Sequence, residues 1–108
     1  MTTFDKREEG FEKKFAHDEE LKFKASARRN KLLGQWAAEK LGLTGAEVDA
    51  YAKEVIAADF EEAGDEDVIR KLLGDLTSAD VDIDEDRIRA TLDHKAVEAR
   101  RQLLEAHG

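Results

Sequence analysis

Apolar residues recur along most of this chain at spacings of three and four, the period of a helix with one buried face. Val48, Tyr51, Ala52, Val55, Ile56 and Phe60 form one such series. Val68, Ile69, Leu72, Leu73 and Leu76 form a second, and Ile88, Leu92, Ala96, Ala99 and Leu103 a third. An earlier stretch, running through Trp36 to Leu41, has the same character. Alternation with a period of two does not occur, since VDID is too short and too acidic for a strand. It reads as a loop with two buried anchors.

Capping residues punctuate these stretches. Asp18 suits a helix start, and Glu19 and Glu20 suit the positive end that follows. Gly42 suits a left-handed stop, with Leu43 folding back on the last turn. Thr44 with Glu47 reads as a capping box opening the second helix, flanked by Leu43 and Val48 as a hydrophobic staple. That helix is expected to end near Gly64. Asp65, Glu66 and Asp67 begin the third. Asp84 caps the fourth, with Ile83 and Ile88 as its staple pair. Short loops make consecutive helices antiparallel, so the expected fold is all-α: a four-helix bundle over residues 18–108 preceded by a flexible tail over 1–17. There is no internal repeat and no low-complexity segment.

Composition sharpens this picture. Proline and cysteine are both absent from the 108 residues. The first absence favours uninterrupted helices. The second removes disulfides, thiolate metal sites and thiol nucleophiles. No apolar leader and no membrane-length apolar run is visible, so a cytoplasmic protein without membrane insertion is expected.

The net charge of −8 is uneven: residues 61–86 carry 11 acids and 2 bases, whereas 87–108 carry 3 acids and 5 bases. So acidic a patch repels phosphate backbones and argues against nucleic acid as a partner.

Candidate chemistry is sparse. The sequence has no glycine-rich phosphate loop, nucleophile elbow or HExxH motif, and Ser26 and Ser78 have no histidine at a suggestive spacing. His17, His94 and His107 read as solvated. No enzyme and no cofactor is expected. Asp80, Asp82 and Asp84 match the first three ligands of a calcium loop, but Glu85 replaces the turn glycine and Thr91 the closing glutamate. Helix capping accounts for these acids, and no metal site is assigned. The basic run Arg28, Arg29 and Lys31, flanked by Phe23 and Trp36, reads first as a solvated helix face with Trp36 in the core. A nucleotide or small-anion site there is the alternative.

The tail carries the clearest binding signal. On a helical wheel Phe4, Phe11 and Phe15 fall within an arc of about 40°, with charges of both signs between them. Glu9 and Lys13 have the favourable i, i+4 order. Gly10 costs roughly 1 kcal/mol relative to alanine, and some 17 residues make a marginal helix in isolation. Such a segment either orders in a partner's groove, aromatic anchors first, or folds back on its own bundle. The residues alone leave both open.

The pieces MTTFD, KFAHDEEL, ARRNKLLG and ADFEEAGDEDV resemble the alphaproteobacterial ATP synthase zeta subunits, a family first catalogued without a function. The resemblance is strong to about residue 78. It implies a four-helix bundle whose N-terminal segment enters the catalytic head of the ATP synthase (the alpha, beta and gamma subunits) and blocks rotation in the hydrolytic direction. By position, the inhibitory arm is residues 1–17, with Phe4, Phe11 and Phe15 as anchors and Lys6, Arg7, Lys13 and Lys14 facing acids on the target. The protein is expected to be a monomer when free and peripheral to the membrane through the enzyme. The second reading is a nucleotide- or anion-sensing bundle with little inhibitory activity, centred on Arg28, Arg29 and Lys31.

Overall fold

The computed structural model describes residues 19–59 and 65–107, with side chains for 20–59 and 65–106. The described residues form four helices: α1 (Glu19–Lys40), α2 (Ala46–Ala58), α3 (Glu66–Ser78) and α4 (Glu85–His107). No strand occurs among them, so the all-α four-helix expectation holds. Asp18, Phe60 and Gly64, to which parts of the sequence reading were assigned, lie outside the described residues.

Helix α1 is the spine, packing along α2 and along α4, while α3 bridges α2 and α4. Both long contacts are antiparallel. Arg29, in the first half of α1, reaches Asp59 just past the end of α2. Arg28 of α1 donates to the Gln102 side chain near the end of α4 at 2.9 Å. Gly34 sets how closely α1 and α2 approach: a Cβ there would lie 2.7 Å from the Ala52 Cα.

The turns show how local chemistry divides the chain. Gly42, at φ +79°, lets the Leu43 amide bond the Ala38 carbonyl at 3.0 Å while its own amide bonds Glu39 at 3.1 Å. Leu43 then folds back against the core, as its position beyond a left-handed cap requires. Asp80 repeats this closure after α3 without being glycine. It sits at φ +61°, its amide bonds the Thr77 carbonyl at 3.0 Å, and the Val81 amide bonds Leu76 at 2.9 Å. Val81 and Ile83 pack against the core. Asp84 caps α4 as expected, accepting the Arg87 amide at 2.9 Å.

The Thr44–Glu47 capping box is not formed. Helix α2 begins at Ala46, the capping position falls on Gly45 at φ +58°, and no side chain bonds there. The positive φ that glycine tolerates moves the start one residue along, leaving the Thr44 carbonyl to accept the Glu47 amide at 3.2 Å. Asp65 holds the capping position of α3 without a side-chain capping bond; its carboxylate faces Arg29 instead.

The core is built from the apolar stripes. Leu33, Val55, Val68, Leu72, Leu76 and Ile88 are fully enclosed where all four helices meet. Farther along α1 and α4, among the described residues, a second small cluster joins Leu21, Ala25 and Leu103.

Candidate partner-binding site

Phe4, Lys6, Arg7, Phe11, Lys13, Lys14 and Phe15 lie outside the described residues. The structure therefore bears on the candidate residues of the helices.

Arg28, Arg29 and Lys31 do not converge. They occupy neighbouring helical positions, yet Arg28 and Arg29 turn to different neighbours and Lys31 to the surface. Arg28 is held by Gln102 of α4. Arg29 turns toward α2 and α3 and is largely buried. Its guanidinium lies 2.9 Å from the Asp65 carboxylate and 3.5 Å from that of Asp59. It also donates twice to Asn30 Oδ1, at 3.1 and 2.9 Å. Asn30 itself is enclosed, so this cluster satisfies a buried amide while tying the end of α2 to the start of α3. Lys31 is exposed. An anion bound by the trio would have to displace the two carboxylates from Arg29, a substitution that burial makes expensive.

Asn30 was not singled out by the sequence, because an asparagine inside a charged run gives no sign that it is buried. The signal was its place in the apolar rhythm, between Ala27 and Leu33 on the inward side of α1.

A second polar joint sits between α2 and α3. The buried Tyr51 donates its hydroxyl to Asp75 Oδ2 at 2.8 Å, and Lys71 reaches the same oxygen at 3.0 Å. Lys71 also lies 5.1 Å from the Tyr51 ring centre. Burial, then the hydrogen bond to Asp75, push the Tyr51 hydroxyl above its ordinary pKa. It stays protonated and serves as a donor, not as an acid or base.

Open grooves lie among the described residues. One, of about 310 Å³, runs between α1 and the end of α2, lined by Phe23, Ala27, Asn30 and Ile56 among others. Another, of about 290 Å³, lies between α1 and α4 and is lined by Trp36, Arg87, Ala90, Thr91, His94 and Lys95. Trp36 is therefore at the edge of the core rather than within it, half-buried, with the Lys40 ammonium 6.0 Å from its ring centre. No group of three or more metal-ligating side chains comes together among the described residues. Asp84 is engaged in capping and Asp80 in closing its turn. None of the described helices is long and apolar enough to cross a membrane.

Four helices around one apolar core, laced by ion pairs between them, define a small helical bundle. The sequence profile of the family described as ATPase inhibitor subunit zeta matches residues 1–102, so the chain belongs to that family. It is also similar to a protein solved by solution NMR, with 51% identity and a TM-score of 0.72, over 80% of this chain and 98% of that one. A search of curated protein sequences returns no match.

Proposed function

We propose that this protein inhibits ATP hydrolysis by the ATP synthase by inserting residues 1–17 into the enzyme's catalytic head. The observation that carries this reading is the family match, which begins at residue 1 and so includes the phenylalanine-bearing arm as well as the bundle. Phe4, Phe11 and Phe15 enter apolar pockets at an interface of the alpha and beta subunits, while Lys6, Arg7, Lys13 and Lys14 pair with acids around the entrance. The bundle, too bulky to follow, stays outside. Rotation toward hydrolysis then meets a wedge, and no bond is made or broken by the inhibitor. The arm anchors are assigned by their shared helical face.

The test compares the full chain with one beginning at Asp18, measuring ATP hydrolysis by the purified catalytic head. The full chain inhibits and the shortened one does not. Equal inhibition by both, or by neither, removes the arm mechanism. Phe11→Asp sharpens the test. Placing a charge in an apolar pocket costs several kcal/mol, so inhibition falls by more than about tenfold while the thermal unfolding of the bundle is unchanged. A large fall in melting temperature would show instead that the arm packs on its own core.

The nucleotide-sensing alternative draws no support from the commitment of Arg29 to Asp59 and Asp65. ATP titrated against isotopically labelled protein separates the two readings, because sensing requires localised shifts around Arg28 and Lys31 at cellular concentrations.

A further inference from the structure

Residues 1–17 lead into α1, so the first turns of α1 are the root through which the proposed arm is joined to the bundle. What holds those turns decides how a load on the arm passes into the body. Helix α1 is 22 residues long, and its described contacts change along that length. Its second half is gripped by the core, where Leu33, Ala37 and Ala38 are fully buried. Arg29, bound to Asp59 and Asp65, ties it to the end of α2 and the start of α3. The stretch from Glu19 to Arg28, roughly 15 Å at 1.5 Å per residue, comes before that tie.

Two contacts seat this stretch on the last turns of α4. Leu21 and Ala25, one turn apart, close on Leu103 in a cluster separate from the main core. Leu21 and Leu103 are both buried, so the contact is dry. Beside it Arg28 donates to the Gln102 side-chain oxygen at 2.9 Å, joining residues 74 apart in the chain. Gln102 and Leu103 are sequence neighbours, and thus one turn of α4 supplies both the apolar and the polar half of the seat. A contact built from so few side chains opens before the core does, because local opening begins where little apolar surface holds an element down.

We propose that Gln102 and Leu103 are positioning residues for inhibition: they hold the root of α1 against α4 and so fix the direction in which the arm leaves the bundle. The inference rests on the arm mechanism proposed above and adds a working part to it. Rotation toward hydrolysis pulls on the arm, and the pull enters the bundle through Glu19–Arg28. While that stretch stays seated, the arm extends from a rigid body too bulky to follow. Once it lifts from α4, α1 bends about its tie at Arg29 and the wedge yields. A seated root also preorganises the arm, which then loses less conformational freedom on entering the enzyme. Arg28 thereby has a role that needs no bound anion.

The test uses full-chain variants at a temperature where all are folded, and measures the concentration that half-inhibits ATP hydrolysis by the purified catalytic head. Leu103→Ala empties the apolar seat and raises that concentration about tenfold, whereas Leu103→Met, which refills it, stays within about twofold of the parent. Gln102→Ala raises it about threefold, and Gln102→Glu, which keeps an acceptor for Arg28, does not. Gly34→Ala is the control, since it disturbs the α1–α2 crossing away from the seat; it stays within about twofold although it destabilises the fold comparably. Hydrogen exchange in the free protein reads the seat directly. Amides of residues 22–26 exchange at least about fivefold faster in Leu103→Ala, while those of 33–38 keep the parent's rates. Equal loss of inhibition in Gly34→Ala and Leu103→Ala would trace the effect to general stability and overturn the proposal. So would exchange at 22–26 that Leu103→Ala leaves unchanged. Parent-like inhibition by Leu103→Ala and Gln102→Ala, where removal of residues 1–17 abolishes it, would overturn the seat and leave the arm mechanism standing. Inhibition that is the same with and without residues 1–17 would overturn both.

Discussion

The same two helices, α1 and α4, pass through two different environments. In one half of the molecule they are enclosed by α2 and α3, and Leu33 and Ile88 are completely removed from solvent. In the other half, among the described residues, they pack chiefly on each other, and Leu21 and Leu103 keep 8% and 6% of their surface exposed. Residue type hardly differs between the halves. The number of neighbouring elements does. The leucines with no exposed surface, Leu33, Leu72 and Leu76, all lie where four helices meet, and among the described residues the two-helix end holds only the smaller cluster.

The largest effect that can break this comparison is cavity formation. Leu72→Ala, within the four-helix half, should lower unfolding free energy by about 3–5 kcal/mol, because neighbours on every side prevent collapse into the void. Leu103→Ala should cost only about 1–2 kcal/mol, since its few neighbours can relax and solvent is close by. Chemical denaturation of both variants reads the difference directly. Equal losses would mean the two-helix end is packed as tightly as the core, and the distinction drawn from exposure would fail.

Next in size is the contrast between two helical glycines. Alanine normally gains about 1 kcal/mol over glycine in a helix interior. At Gly74 a Cβ would meet nothing within 4 Å, so Gly74→Ala should stabilise by about that amount. At Gly34 the Cβ would lie 2.7 Å from the Ala52 backbone and 3.3 Å from Val55 Cγ2. Gly34→Ala must therefore push α2 away from α1 and should destabilise by about 1–3 kcal/mol in spite of its better propensity. Melting temperatures moving in opposite directions would establish that the α1–α2 crossing depends on the missing side chain. Movement in the same direction would remove Gly34 as the determinant of that crossing.

These contrasts also show what the sequence could and could not reveal. Helix count, helix faces, the stop at Gly42 and the start at Asp84 were legible, because periodicity and capping act within a few residues. The inward sides of α3 and α4 followed directly from Val68, Leu72, Leu76, Ile88 and Leu103. What was not legible depends on contacts distant in the chain. Arg29 looks solvated until Asp59 and Asp65 are brought to it, and Trp36 looks like core until the bundle proves too thin at that edge to enclose it. The capping box at Thr44 failed locally, because Gly45 offered a turn that the box pattern does not consider. The arm is proposed from phenylalanine spacing and family resemblance alone, and its residues lie outside those the structure describes.

The smallest effect compares the two left-handed turns. Gly42 and Asp80 close their helices by the same pair of backbone bonds, at φ +79° and +61°, yet only Asp80 carries a side chain there. A non-glycine residue in this region costs roughly 1–2 kcal/mol, partly offset by the greater chain entropy that glycine loses on folding. Asp80 also places a negative charge at the negative end of α3, an arrangement the helix dipole disfavours. Asp80→Gly should therefore stabilise the protein by about 0.5–1 kcal/mol, and Asp80→Asn, which keeps a side chain but removes the charge, by less. Gly42→Ala should go the other way, since open space around its Cβ does nothing to relieve the backbone. If Asp80→Gly left the melting temperature unchanged, the Asp80 side chain would have to be repaying the strain in the folded state, and the α3–α4 turn would differ from its glycine counterpart in energetics as well as in residue.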